Sequence, residues 1–368
     1  MAANQTVSSG KTYEDAGVVS LDKRRGFKGL LGHLRKTFDF RKEVGRPLLE
    51  FGYYASVLEV PGQRAIAIST DGIGTKAIVA QLMDKYDTVG IDCVAMNAND
   101  VICVGAEPIA MLDYIAVDVA DDGMLEQIGK GLLEGARQAN ISIPGGEISQ
   151  IPEIIRADRP GHGFDLVGTC VGLVDKDAVL DGSRVRAGHV IVGLASTGIH
   201  SNGLTHARKV LLEDSRFALD QRVPELGRTL GEELLEPTRI YVGAVLPMLS
   251  ERLAISALCH VTSDGFLNLR RVNAPVGFEI DDLPETPPIF DLIKKRGAIA
   301  DAEMFRVYNM GIGFCVVCPP ESVERVRQLA SAAGCDSWVL GNCVADPKKT
   351  VNLRSVGLQS GDAGFIRV

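Results

Sequence analysis

A two-domain protein of mixed helix and strand, α/β or α+β, is what the sequence predicts, on three observations. The chain has 368 residues, beyond the roughly 250–300 at which a single hydrophobic core stops growing. Apolar residues make up 46% and aromatic residues 5%, with 40 glycines, a composition that suits a folded enzyme and not a disordered chain. Short apolar runs that stop at glycine turns alternate with stretches of helical period, which is how strand-and-helix units are punctuated.

Residues 1–45 read as an extended or partly helical lead-in with scattered Lys and Arg. "RAIAIST" (64–70) is a strand stopped by Asp71-Gly72, and "PIAMLDYIAVDV" (108–119) is a second. Met124, Ile128, Leu132 and Ala136 recur every four residues and give one buried helical face. "ISIPGGE" (141–147) reads as a short strand closed by paired glycines and a carboxylate, and "FDLVGTCVGLVD" (164–175) as another strand. The polar stretch near 181–188 is the candidate boundary, dividing 1–183 from 184–368. Beyond it, "VIVGLAS" (190–196) is a buried strand, and its turn leads into a helix through Leu204, Ala207, Val210 and Leu211. A helix over 324–334 stops at Gly334, and the Pro-rich segment 273–290 reads as loop.

The formal charge of −8 argues against a nucleic-acid partner, since phosphate contacts demand clustered Lys and Arg. Arg24-Arg25 and Lys294-Lys295-Arg296 are short enough to be solvated faces. No apolar run approaches the ~18–20 residues that cross a bilayer. The first twenty residues lack the apolar core of a signal peptide. A cytoplasmic protein with no membrane partner is expected. Of eight cysteines, Cys315 and Cys318 have the CxxC spacing, but on a strand they point to opposite faces. Structural, reduced thiols are the expectation.

Five polar clusters carry the chemistry. In Ser69-Thr-Asp-Gly-Ile-Gly-Thr-Lys76 the Walker reading fails, because a P-loop puts lysine directly after its last glycine. What remains is Asp71 at a strand end, Gly72 and Gly74 for close backbone approach, and Lys76 to offset phosphate charge. Such an aspartate can hold Mg²⁺, which takes oxygen ligands and keeps waters beside phosphates; an ordinary strand-to-helix turn fits as well. Asn99-Asp100 interrupts the apolar stretch of "AMNANDVICVGAEP" (95–108), either as a paired or metal-bound carboxylate or as a turn. Gly145-Gly146-Glu147 suits a ligand near backbone or a tight turn. "STGIHSNG" (196–203) gathers His200, Ser201 and Asn202 at a helix start, where N–H groups attract anions. "CHVTSDGF" (259–266) offers Asp264 as a metal ligand or an Asx-turn residue. Together they point to one phosphate–metal site and name no reaction.

In order along the chain, these segments resemble the phosphoribosylformylglycinamidine cyclo-ligase family, the aminoimidazole ribonucleotide synthetases. The resemblance starts at Thr12-Tyr-Glu-Asp-Ala-Gly-Val18. It runs through "TDGIGTK", "GIDCVAMNANDV", "GAEPIAMLDY", "GGE", "STGIHSNG" and "CHVT..GF" to "EMFRVYNMGIGF" (303–314). It implies an ATP-dependent ring closure of a small nucleotide substrate with Mg²⁺. It implies two α+β domains of the AIR synthetase-like fold, the N-terminal sheet pairing across a homodimer and the C-terminal one an α/β sandwich. Asp71, Lys76 and His200 would be catalytic, and Asp71, Asp100 and Asp264 would hold metal. Gly72, Gly74, Thr75, Asn99, Gly145, Gly146 and Glu147 would face nucleotide and phosphates, and Ser201 and Asn202 the substrate. The chain departs from the family at "EFGYYASVLEV" (50–60), at "GGEISQIPE" (145–153) and at "TSDGF" (262–266). The last is typical of related kinases and amidotransferases. Two alternatives stay open: an ATP-dependent kinase or ligase with another substrate, and a non-catalytic nucleotide-binding paralogue.

Overall fold

In a computed structural model the protein is described over residues 12–18, 25–157, 159–362 and 364–368. Arg24 of the basic pair, and most of the first twenty residues, lie outside this range. Among its described residues the lead-in carries α1 (Arg25–Arg35) and a 3-10 turn over Lys36–Phe40, as its partly helical pattern suggests.

Two sheets organise the rest. The first contains β1 (Ser56–Glu59), β2 (Arg64–Gly72), β3 (Glu107–Val117), β4 (Ser142–Gln150) and β5 (Phe164–Asp175), in the order β1-β2-β5-β3-β4. Only β3 and β4 run parallel, and a parallel pair needs a crossover. α4 (Asp122–Ala139) supplies it, capped by the Asp121 carboxylate on the Met124 amide and burying Met124, Ile128, Leu132 and Ala136. Between β2 and β3 come α2 (Lys76–Met83) and α3 (Val89–Cys103). β2 alternates buried and half-exposed residues, as a strand covered on one face must. The expected boundary at 183/184 falls in the link between β5 and the next strand.

The second sheet has eight strands. Chain order gives β6 (Val190–Ala195), α5 (Leu204–Arg208), a small hairpin of β7 (Arg222–Val223) and β8 (Arg228–Thr229), α6 (Leu230–Leu234) and α7 (Val242–Ser250). Then come β9 (Ala257–His260), β10 (Val276–Ile280), α8 (Pro288–Gly297), α9 (Asp301–Val307), β11 (Ile312–Cys318), α10 (Val323–Ala332) and β12 (Ser337–Ala345). β13 (Val351–Leu353), β14 (Leu358–Gly361) and β15 (Gly364–Arg367) complete the order β15-β14-β13-β10-β12-β6-β11-β9. β11 is buried at every position. All eight cysteines are free and buried, Cys315 and Cys318 among them, as expected of structural thiols. No helix of the described residues is long and apolar enough to cross a membrane.

Three sequence expectations are corrected. Segment 273–290 holds β10 and the start of α8. Its five strand residues are all buried and show no alternation, and Pro288 sits at the first helical position, where its missing N–H costs nothing. Asn99-Asp100 is no turn but lies within α3, a helix buried on nearly all sides. Polar residues in such a helix are not breaks; they mark where it meets partners. Gly145-Gly146-Glu147 does not end a strand, because β4 continues to Gln150 as the exposed edge of its sheet.

Candidate phosphate–metal site

β2 carries Asp71 one residue before its end at Gly72. The Gly72 amide donates to Asp71 Oδ1 at 2.8 Å, and Asn97 Nδ2 donates to the Asp71 carbonyl at 3.0 Å. Asn97 and Asp100 are three apart on α3 and share a helix face, so one helix brings both to the strand end. Burial raises the Asp71 pKa, the charge of Asp100 raises it further, and His260 acts the other way. α3 thus carries Asp100 toward the strand end that presents Asp71. His260, at the end of β9, meets Asp100 with Nδ1 2.9 Å from Oδ1.

The register adds a carboxylate that the motifs did not single out. Asp71 pairs with Gly168 of β5, Gly168 with Asp113 of β3, and Asp113 with Gly146 of β4. Residues directly opposite across strands share a face, so Asp71 and Asp113 lie in one row with glycine between them. A Cβ on Gly168 would sit 2.7 Å from Asn97 Nδ2, so glycine there is what lets α3 lie on the row. Burial raises the Asp113 pKa. Glu147 is opposite Tyr114, one residue out of the row, and belongs to the other face of the sheet. It does not converge with Asp71.

Lys76 turns inward. Its Nζ donates to Asp92 Oδ1 at 2.8 Å and to the Glu236 carbonyl at 2.5 Å, and both side chains of the ion pair are 0% exposed. The same Oδ1 accepts from Ser201 Oγ at 3.1 Å, from the Thr238 amide at 2.7 Å and from the Thr238 hydroxyl at 2.6 Å. A buried ammonium needs a hydrogen-bonded carboxylate, and this hub supplies it. Lys76 and Ser201, expected beside phosphates and substrate, join the two halves of the chain instead. Asn99 is a second strut, donating to the Arg239 carbonyl at 2.8 Å and accepting from the Tyr241 amide at 2.9 Å. Thr75 Oγ1 lies 2.9 Å from Thr205 Oγ1, and a Cβ on Gly74 would lie 3.8 Å from the Ser201 carbonyl, so the loop after Asp71 abuts the "HSNG" turn.

His200 is buried, with a left-handed φ of 67°. Its Nε2 accepts from the Thr197 amide at 3.2 Å and the Arg239 amide at 3.4 Å. Burial pushes its pKa well below the ordinary 6.5, with His260, Lys76 and Arg239 adding to the effect. The ring is neutral at pH 7 and packs against Gly313, where a Cβ would fall 2.5 Å from Cε1. Asn202 faces outward by comparison, its Oδ1 accepting from Ser263 Oγ at 2.7 Å. Asp264 follows Ser263 with a left-handed φ of 71°. Its charge is felt by Tyr13 and Arg306, where Glu303 holds Arg306 at 2.8 and 2.7 Å and the Tyr13 amide at 2.7 Å. Among the described residues the three expected metal ligands do not form a cluster placed to hold a metal ion.

Among the described residues no group of three or more His, Cys, Asp or Glu is placed to hold a metal ion. The Asp71–Asp100 pair nevertheless fits Mg²⁺. Its donors are hard carboxylate oxygens, and Mg²⁺ takes one or two carboxylates with waters and phosphates completing its shell.

Models of two protein families match the chain in succession: AIR synthase related protein, N-terminal domain, over residues 52–174, and AIR synthase related protein, C-terminal domain, over residues 186–354. The phosphoribosylformylglycinamidine cyclo-ligase of Methanobrevibacter smithii is 42% identical over 341 residues, 92% of this chain and 96% of that protein. The chain belongs to the phosphoribosylformylglycinamidine cyclo-ligase family. The enzyme of that name from Methanocaldococcus jannaschii is 44% identical over 335 residues, 90% of this chain and 92% of that one. Among solved structures, thiamine-monophosphate kinase from Stenotrophomonas maltophilia K279a superposes with a TM-score of 0.57 at 20% identity, covering 86% of this chain and 93% of that one. Phosphoribosylformylglycinamidine synthase II from Thermotoga maritima gives 0.53 at 17% identity, covering 87% of this chain and 47% of that one. At such identities what these two share with the cyclo-ligase family is the fold.

Sequence reasoning missed Asp92, Asn97, Asp113 and His260. Asp113 had a signal: with Met111 and Ile115 it falls on the buried face of an alternating strand, where a carboxylate is out of place. His260 stood within a quoted motif, overshadowed by Asp264.

Proposed function

We propose that the protein catalyses ATP-dependent closure of formylglycinamidine ribonucleotide to aminoimidazole ribonucleotide, releasing ADP and phosphate. One observation carries the reading: identity of 42–44% over nine-tenths of the chain to relatives bearing the cyclo-ligase name. In this reaction the formyl amide oxygen takes the γ-phosphoryl group of ATP. The amidine nitrogen then attacks the same carbon, the C–O bond breaks, phosphate leaves, and the nitrogen loses a proton as the imidazole forms.

Asp71 and Asp100 hold Mg²⁺ on the nucleotide phosphates. When bound, the ion neutralises charge on the phosphoryl group in transfer. Gly72, Gly74 and Thr75 bring backbone and hydroxyl toward the phosphates from the loop after Asp71. Asn202, with Ser263 and Asp264 beside it, lines the substrate side. The Lys76–Asp92–Ser201 hub and the neutral His200 ring hold these loops in register; their burial supports a supporting role over direct contact. We take 1–183 and 184–368 as two domains, and the protein as a cytoplasmic homodimer formed through the first sheet. The face of that sheet away from α3 carries Leu112 and Tyr114, 50% and 39% exposed, and apolar faces of this kind pair with another copy.

The test is ADP release by the purified protein with and without formylglycinamidine ribonucleotide, with product followed in parallel. Substrate-stimulated ADP release and aminoimidazole ribonucleotide are expected in equal amounts. ADP release indifferent to that substrate, with no product, refutes the cyclo-ligase assignment.

A further inference from the structure

We propose that His260 is a positioning residue: carried by β9, it holds the Asp100 carboxylate in the orientation in which Asp100 and Asp71 together take the divalent cation. The proposal rests on the reading of those two aspartates as the cation's ligands and extends it to a residue of the other half of the chain.

Asp100 belongs to α3, and the imidazole that meets it belongs to the edge strand of the second sheet. The Nδ1–Oδ1 distance is 2.9 Å, and His260 is 0% exposed. Its Nε2 is buried with no hydrogen-bond partner among the described residues. A buried N–H without an acceptor is the costlier group to leave there than a bare ring nitrogen, so the proton sits on Nδ1 and His260 donates to Asp100. An ionised carboxylate has two oxygens and about four acceptor positions. A single bond to Oδ1 fixes its rotation and leaves Oδ2 for another ligand.

Two further observations separate this role from packing. Asn97, three residues before Asp100 on the same face of α3, donates to the Asp71 carbonyl at 3.0 Å, so the helix that carries the oriented carboxylate is tied to the strand end that presents Asp71. And a buried ring with an unpartnered Nε2 is a poor choice for filling space alone, because an apolar side chain of similar volume would bury no orphan nitrogen. The cost is explained if the one bond is what matters. Ligands of metal ions are commonly steered by such outer hydrogen bonds.

Mn²⁺ in the presence of ADP is the probe, with the free ion followed by electron paramagnetic resonance on the full chain. His260→Asn keeps an N–H near the Nδ1 position; His260→Gln places its amide near Nε2 and cannot reach Asp100. Positioning predicts Mn²⁺ binding close to wild type in His260→Asn and weakened ~10–100-fold in His260→Gln, the usual cost of losing such a partner. A packing role predicts the reverse order, since glutamine fills more of the space. His260→Phe, which preserves ring volume, should lose affinity like His260→Gln and serves if that variant melts early. Wild-type affinity in both His260→Gln and His260→Phe, or His260→Gln binding better than His260→Asn, overturns the positioning role alone. If the wild-type chain itself takes up no Mn²⁺ with ADP, the aspartate pair is not the cation site, and the proposal falls with that reading.

Discussion

Asp71 is costly to ionise where it lies. Its pKa is raised by burial and by Asp100, so its contribution to stability is present below the unfolded pKa and is lost as pH rises through the folded one. Asp71→Asn removes that cost. The variant is expected to melt at or above the wild-type temperature while activity falls by ~10²-fold or more, the scale of losing one contact to transition-state charge. Added Mg²⁺ should restore part of it. Full activity in the variant would remove Asp71 from the chemistry. His200 behaves oppositely. Its folded pKa is depressed, so its contribution is present above the ordinary 6.5 and declines as pH falls from there toward the folded value. The unfolding free energy from urea titrations should drop on acidification below that point, by at most about 1.4 kcal/mol per pH unit for one group. His200→Asn, which tolerates a left-handed φ, should flatten the slope; an unchanged slope would assign the acid sensitivity elsewhere.

Among the elements, α3 does the most. It covers the row of Asp71 and Gly168 on one side and meets β9 and α7 on another. Its polar residues each serve a different neighbour: Asp92 the Lys76 hub, Asn97 the Asp71 carbonyl, Asn99 the backbone at 239 and 241, Asp100 His260. Lys76→Met would strand the Asp92 carboxylate without its cation. Removing one partner of a buried pair costs about 3–5 kcal/mol, so the denaturant midpoint should fall steeply. A fall of less than half that size would mean that Thr238 and Ser201 suffice to hold Asp92. Strands β2, β5 and β6 and helix α4 were legible in the sequence because each is covered on one face or bounded by turn residues. α3 was not, since a helix buried all round shows no amphipathic period and its Asn and Asp imitate a break. For the site, Asp71 and Asp100 were legible as acids where acids are costly. The inward turn of Lys76 and the outward face of Glu147 depended on register and on long-range partners that local pattern does not encode.

At the scale of the molecule, the first sheet is finished on one face only. Leu112 and Tyr114 stand on the uncovered face, with Val167 and Thr169 of β5 beside them by register. The expected state is a dimer, checked by light scattering on the eluting protein. Leu112→Glu with Tyr114→Glu should give a folded monomer, because like charges on a self-facing surface repel. A wild-type monomer, or a dimer indifferent to both changes, would place the contact elsewhere.

The wiring of α3 also sets a timetable for synthesis. The helix leaves the ribosome more than a hundred residues before Thr238, Arg239, Tyr241 and His260, whose groups its polar side chains require. Until then the Asn99 and Asp100 side chains, which serve the second half of the chain, lack those partners. A nascent N-terminal half is expected to expose this side of α3, apolar surface of the kind that favours aggregation. A chain truncated after β5 should stay open and aggregate, however complete its own sheet.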